Sequence, residues 1–329
     1  MSTFKIAAVQ TAPIFMDREA TVAKACELIA KAAQDDDVRL VVFPEAFIPT
    51  YPDWVWRIPP GEHQMLADLY GELLNQSVAI PSLTTEQLCR AARQAGVYVV
   101  VGLNERNAEA SNASLYNTLL YIDAEGNLLG KHQKLVPTAP ERMIWAQGNG
   151  STLEVYDTPF GKLSGLICWE NYMPLARYAL YAWGVQIYLA PTWDRGEPWL
   201  STLRHIAKEG RVYVLGCSIA LRKEDIPERF EFKAKYYAEA GEWINKGDSV
   251  IVGPDGEFIA EPLHKEEGIL YAELDSRQMR GPKWNLDVAG HYARPDVFRL
   301  TVSKDGNPMI AVAGTPEYEL QGEPEVLEN

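Results

Sequence analysis

The sequence predicts an α/β fold carried by a single domain over residues 1–300, and three observations lead there. Short apolar runs of strand length alternate along the chain with segments whose apolar residues recur at helical spacing. The stretch Phe160 to Asp194 holds a whole strand–helix–strand unit, with apolar runs at Leu163–Ile167 and Val185–Ala190 flanking an amphipathic segment that ends at Trp183. No composition break and no short-period repeat divides the chain before about residue 300.

Taken in order, Phe4–Val9 reads as a buried strand. Asp17–Ala33 reads as a helix on Val22, Ala25, Leu28, Ile29 and Ala32, closed by Asp35-Asp36-Asp37. Val38–Phe43 is the next strand, and Pro44 turns the chain out of it because proline cannot donate to a central ladder. Ile48–Pro60 is rich in aromatics and proline, a structured loop able to wall a pocket. Helices are expected at about Glu62–Asn75 and Thr85–Ala95, the second capped by Thr84 or Thr85 and ended by Gly96. Tyr98–Gly102 is a strand, Glu105–Ala113 a polar surface loop, and Tyr116–Ile122 with Asn127–Lys131 a hairpin. His132–Thr138 is a loop, and Thr152–Tyr156 pairs with Leu163–Ile167. Beyond the strand–helix–strand unit come a helix at Trp199–Gly210, a strand at Val212–Ala220, a hairpin at Val250–Ile259 and a strand at Gly268–Leu274. Arg222–Lys246, charged and aromatic, is too long for an ordinary connection and is expected to be an insertion or contact region. Residues 301–329 form a C-terminal tail, acidic and poorly ordered over Thr315–Asn329.

The bulk composition narrows the function. The formal charge of −14, with no cluster of Lys and Arg, argues against nucleic acid as a partner. No apolar run approaches the length of a membrane span, and the N-terminus shows no charged and apolar leader, so no membrane association is expected. Cys26, Cys89, Cys168 and Cys217 are widely spaced, without C-x-x-C or a Cys/His group, which predicts a reducing, cytoplasmic setting, no disulfide framework and no metal site. Signatures for zinc hydrolysis, phosphate cradling and the serine elbow are missing, and no cofactor is expected.

Three polar residues fall where a strand gives way to a loop: Glu45 after Val41-Val42-Phe43-Pro44, Lys134 after the hairpin, and Cys168 after Gly165-Leu166-Ile167. Singly, each has an ordinary reading, as a solvated carboxylate, a surface lysine and a buried thiol. Together they favour one shared site, because catalytic groups in open α/β sheets gather beyond the carboxyl ends of strands. Cys26, Cys89 and Cys217 sit inside helical or strand patterns and read as packing residues. The histidines are scattered, so a Cys–His dyad is not indicated. Tyr51, Trp54, Trp56, Trp145, Trp169 and Trp193 are candidates to line an aromatic-tolerant pocket, against the ordinary reading of aromatics as core or interface.

F-P-E at Phe43–Glu45, H-Q-K-L-V-P-T at His132–Thr138 followed by P-E-R at Pro140–Arg142, and I-C-W-E-N at Ile167–Asn171 resemble the three catalytic blocks of the nitrilase superfamily. The run from Cys168 to L-A-P-T-W-D, ending at Asp194, is similar to the nitrilase branch, and the resemblance covers about residues 4–300. It implies a four-layer α-β-β-α sandwich and a Glu45–Lys134–Cys168 triad, with Glu141 as a second glutamate. It also implies a homodimer building into a larger or spiral homo-oligomer. Lys246-Gly247-Asp248-Ser249 departs from the family's usual glycine pair before serine, which bears on the pocket wall. The substrate-binding set expected on this basis is Trp169, Tyr51, Trp54, Trp145, Pro191 and Thr192.

A nitrile carbon is a weak electrophile, so a thiol with a pKa near ~8.5 needs a base or a positive neighbour to attack it. The expected chemistry makes Glu45 the base, and Lys134 with the Trp169 amide the stabilisers of charge growing on nitrogen. Glu141 orients Lys134 or relays protons. The expected function is hydrolysis of a small organic nitrile to acid and ammonia through a Cys168 thioimidate and thioester. The alternatives are an amidase or N-carbamoyl hydrolase with the same triad, a cyanide-degrading nitrilase, and a non-catalytic scaffold that keeps the fold.

Overall fold

The computed structural model describes residues 3–108 and 111–306. The tail Thr315–Asn329 lies outside them. In chain order the first half contains β1 (Thr3–Gln10), α1 (Arg18–Ala32), β2 (Val38–Val42), α2 (His63–Gln76), α3 (Leu83–Ala95), β3 (Tyr98–Arg106), β4 (Leu115–Ile122) and β5 (Leu128–Gln133). The second half contains β6 (Tyr156–Thr158), β7 (Gly161–Gly165), α4 (Pro174–Ala182), β8 (Ile187–Thr192), α5 (Glu197–Gly210), β9 (Tyr213–Ser218), β10 (Ala220–Arg222), α6 (Glu231–Tyr236), β11 (Trp243–Val252), β12 (Phe258–His264) and β13 (Gly268–Asp275). Among the described residues no helix is long and apolar enough to cross a membrane.

The strands form two sheets. One runs β13-β1-β2-β3-β4-β5, and the other β10-β11-β9-β8-β7-β6 with β12 paired to β11. In each, three strands are parallel at the centre, β1-β2-β3 and β7-β8-β9, and antiparallel strands flank them. Such central strands are covered on both faces, which accounts for their near-continuous apolar sequence. In β1, Ala7 and Val9 face α1 and α3 with Val22, Ile29 and Leu88, while Ile6 and Ala8 face the second sheet with Ile187, Leu189 and Leu215. The opposite face of the second sheet carries Tyr188, Ala190 and Val214 against Leu180, Leu203 and Ile206 of α4 and α5. The order of layers is therefore helices, sheet, sheet, helices, the sandwich that the resemblance implies.

Several boundaries differ from the sequence reading, each for a local reason. The α3 cap is Ser82, not Thr84 or Thr85; its hydroxyl accepts from the Thr85 N–H while the Thr85 hydroxyl accepts from the Ser82 N–H. β3 continues to Arg106 because β4 pairs with it as far as Leu115, and Glu105, expected on a surface loop, is buried. Lys131, Gln133 and Thr118 all donate to its carboxylate, which makes that burial tolerable. The strand expected at Thr152–Tyr156 is Tyr156–Thr158, since Gly150–Thr152 is a one-turn 3-10 helix capped by the Asn149 side chain. β11 starts at Trp243, not Val250, because its first half pairs with β10 and its second with β9. Gly247 and Asp248, with φ of 87° and 74°, mark the bend between the halves.

The Arg222–Lys246 segment is not an appended insertion. Phe230, Phe232 and Tyr237 are buried; Phe230 packs on Phe15, Phe232 on Phe15 and Trp54, Tyr237 on Phe232, and the Tyr237 hydroxyl donates to Asp53. Most of its charged residues lie on the outer side, Lys233 being buried with its ammonium on the Ile226 carbonyl; its aromatics complete the core beneath the Ile48–Pro60 loop.

Candidate active site

Glu45 leaves the end of β2 in a tight turn in which Ala46 has φ of 48°. The turn lies so close to β3 that a Cβ on Gly102 would stand 2.0 Å from the Pro44 carbonyl oxygen, so glycine is needed there. Lys134 follows β5 directly, with its N–H bonded to the Asn117 carbonyl. Glu141 sits on a one-turn 3-10 helix, Ala139–Met143, and its carboxylate accepts from the Thr138 N–H at 2.7 Å. Cys168 opens another such turn, Cys168–Tyr172, with φ of 52°. A side chain rarely occupies that left-handed region, and such strain persists where surrounding contacts over-determine it.

These four residues, from both sheets and from the loops beyond them, converge. Lys134 Nζ donates to Glu45 Oε1 at 2.9 Å and to Glu141 Oε2 at 2.7 Å. Glu45 Oε1 also accepts from Asn117 Nδ2 at 2.7 Å, and Oε2 accepts from the Trp193 N–H at 2.7 Å. Thr192 Oγ1 donates to Cys168 Sγ at 3.2 Å. Glu45 is 0%, Lys134 1%, Glu141 1% and Cys168 4% exposed, so the charges interact across protein rather than water.

That burial sets the protonation states. Desolvation pushes the Glu45 carboxyl above its usual range; the Lys134 ammonium pulls it back and Glu141 adds to the rise. For Lys134 desolvation works against the charge, yet Glu45, Cys168 and Glu141 outweigh it and hold the ammonium above its usual value. The Cys168 thiol is raised by burial first and by Glu45 second. The sulfur therefore rests as a neutral thiol, and a base must take its proton when it reacts.

The expected substrate-binding residues separate. The Tyr51 hydroxyl donates to Glu141 Oε1 at 2.7 Å and receives the Trp56 Nε1–H at 3.0 Å, and its ring stacks on Trp193 at 4.3 Å. Trp145 stands with its ring centroid 5.8 Å from Lys134 Nζ, and its Nε1–H donates to Asn104. Thr192 touches the sulfur, and Pro191 is buried beside it in β8, in register with Cys217. Trp169 is half exposed; its Nε1–H donates to Asp194 at 2.8 Å and its ring meets Tyr172 edge-on. Trp54 departs from the expectation: it is 1% exposed and packs with Phe15 and Phe232 in the core, because the turn at Asp53–Trp56 points its ring inward.

Other contributors were not expected from the sequence. Asn117 and the Trp193 N–H orient Glu45 from 72 and 148 residues away in sequence. His132 bonds Glu170. Asn171 Nδ2 donates to the Leu166 and Cys168 carbonyls, and Tyr188 donates to its Oδ1. Glu170 and Asn171 lie inside the I-C-W-E-N block, where a carboxylate at the third position of a turn is a readable capping signal. Among the described residues no group of three or more His, Cys, Asp or Glu is arranged to hold a metal ion.

The chain is similar to known proteins over nearly its whole length. The family model described as carbon–nitrogen hydrolase matches residues 5–282. The chain is 41% identical over 319 residues to an aliphatic nitrilase of Sinorhizobium fredii (strain HH103), covering 95% of this chain and 99% of that one. It is 41% identical over 302 residues to nitrilase 2 of Arabidopsis thaliana, covering 90% and 87%. A solved Saccharomyces cerevisiae protein, a member of branch 10 of the nitrilase superfamily, superposes with a TM-score of 0.70 at 22% identity, covering 88% of this chain and 97% of its own.

Proposed function

The chain belongs to the carbon–nitrogen hydrolase family, and from that premise we propose that it is a nitrilase, converting a small organic nitrile and two waters into a carboxylic acid and ammonia. The observation that carries the site assignment is the fully buried Lys134 ammonium held between Glu45 and Glu141 beside Cys168. Glu45 accepts the thiol proton as sulfur attacks the nitrile carbon, and returns it to nitrogen to give a thioimidate. Two of the three Lys134 N–H groups are held by Glu45 and Glu141. The third, with the Trp169 backbone N–H, faces the charge that grows on nitrogen. A donor in such a place is worth about 3–4 kcal/mol where one has been removed from other enzymes. Water adds, ammonia leaves, and a thioester remains on sulfur; a second water, deprotonated by Glu45, releases the acid. Glu141, fixed by Thr138 and Tyr51, holds Lys134 in place.

Tyr51, Trp145, Trp169, Pro191 and Thr192 form the substrate-binding surround in this reading, without Trp54. The chain acts as a homodimer that builds into a larger assembly, supported by the exposed apolar side chains of Leu175 at 66%, Tyr292 at 61% and Phe298 at 78%. Size-exclusion chromatography across concentrations tests this; a strict monomer overturns it. Four free cysteines support a cytoplasmic setting. The function itself is tested by incubating the purified chain with matched nitriles and amides, aliphatic, aromatic and arylacetonitrile, and measuring ammonia and acid. Acid from nitriles is expected, whereas ammonia from the amides alone overturns the nitrilase reading in favour of an amidase.

A further inference from the structure

Glu170 is buried two residues beyond Cys168, yet its partners are all scaffold groups. One oxygen accepts from the Leu135 N–H at 2.6 Å and the other from the Ile167 N–H at 2.7 Å. His132 Nε2 lies 3.2 and 3.1 Å from the two oxygens, and since a carboxylate only accepts, that nitrogen carries the hydrogen. Leu135 directly follows Lys134, and Ile167 directly precedes Cys168. The two segments descend from different sheets, the first from β5 and the second from β7. One carboxylate thus spans the seam between the segment that delivers the ammonium and the segment that delivers the sulfur. His132, on β5 itself, is 2% exposed and holds that carboxylate from behind. Asn171 secures the same turn by donating to the carbonyl of Cys168, the residue with positive φ.

We propose that Glu170, oriented by His132, is a positioning residue that sets the spacing between Lys134 and Cys168 by holding the backbone amide beside each. The inference rests on the hydrolase reading above. Its chemical logic is that the reacting nitrogen must lie within reach of the ammonium when the sulfur meets the carbon, and a shift of about 1 Å in such a pair costs on the order of 100-fold in rate.

Glu170→Gln is the first test. Its amide has one oxygen, so its NH2 group must face either the Leu135 or the Ile167 N–H, and one strand of the link is lost. Steady-state kinetics on the nitrile and the matched amide are measured with kcat expressed per native chain, the native fraction taken from near-ultraviolet circular dichroism. Glu170→Gln is expected to lower kcat about 100-fold with KM within about threefold, the signature of misplaced reacting groups rather than lost substrate binding. His132→Leu removes the supporting N–H and is expected to lower kcat about tenfold, while His132→Gln, which keeps an N–H near the Nε2 position, recovers most of it. Unchanged kcat per native chain in Glu170→Gln overturns the proposal. So does a rise in KM that matches the fall in kcat, or His132→Gln performing no better than His132→Leu. If Glu170→Gln does not fold, the two His132 variants decide by the same criteria. A parent chain inactive on both substrates overturns the hydrolase reading and this inference with it; an active parent with unchanged variants overturns this inference alone.

Discussion

Glu45 and Glu170 are the same residue type, equally hidden from water, and their carboxyl groups are driven in opposite directions. Glu45 rises above the usual carboxylate range, while Glu170 falls below it. Burial penalises both charges. For Glu170 the penalty is outweighed by His132 and by the N–H groups of Leu135 and Ile167, a set of donors it shares with no other carboxylate among the described residues. Glu45 also accepts from a backbone N–H and from Asn117, but its main counter-charge, Lys134, is divided with Glu141. One ammonium between two carboxylates leaves room for a proton; one carboxylate among three donors does not. On this account a buried glutamate serves as a base or as a strut according to whether its main donor is divided with a second carboxylate, which depth alone does not reveal.

Removing the proposed base is the strongest way to probe that contrast. Glu45→Gln keeps the shape and most hydrogen bonds but cannot take the thiol proton, and is expected to lower kcat by about 10³- to 10⁴-fold in a folded protein. Steady-state kinetics alongside circular dichroism check it, and a loss below tenfold assigns the base elsewhere. Lys134→Met removes the shared charge and leaves two buried carboxylates facing each other. It is expected to cost about 3–5 kcal/mol of stability as well as nearly all activity, read by urea unfolding.

Acid separates the two glutamates without mutation. The proposed role needs Glu45 ionised, so its raised pKa is expected to put the acid limb of kcat/KM above the ordinary 4.5. Glu170, held below 4.5, contributes stability above that value and loses it as pH falls through the lower folded value. On acidification activity should therefore decline before the fold does, and the stability gap between the parent and Glu170→Gln should be widest above pH 4.5 and close below it. Parallel activity and unfolding measurements from neutral to acidic pH test this ordering; coincident loss of both contradicts it. The smallest effect is expected from Tyr51→Phe, which removes one hydrogen bond to the Glu141 carboxylate, worth about 1.5–3 kcal/mol in its upper range, and should slow turnover about tenfold.

What the sequence made readable follows the range of the interactions. The parallel centres of both sheets were legible because strands covered on both faces carry continuous apolar runs, and α1 because its apolar residues keep helical spacing. The meeting of Glu45, Lys134 and Cys168 was legible because each sits just past a strand's end, whereas Glu141, on a 3-10 turn further along, was expected only through the family resemblance of its block. Asn117 and the Trp193 N–H were not, since an asparagine in a strand and a backbone amide in a loop look ordinary until the fold joins them to Glu45. Glu105 was misplaced because a carboxylate in a strand is readable only with the three donors that surround it. Trp54 was misassigned for a related reason: its core partner Phe232 comes from the charged Arg222–Lys246 segment, whose composition concealed a buried aromatic face.

The central claim is that the Cys168 sulfur, activated by Glu45, carries the nitrile carbon through hydrolysis. Cys168→Ala removes one atom from a buried position and should leave the fold intact. Purified, native Cys168→Ala assayed for acid and ammonia from a nitrile that the parent consumes should form neither above the uncatalysed rate; measurable acid from that variant would remove Cys168 from the mechanism.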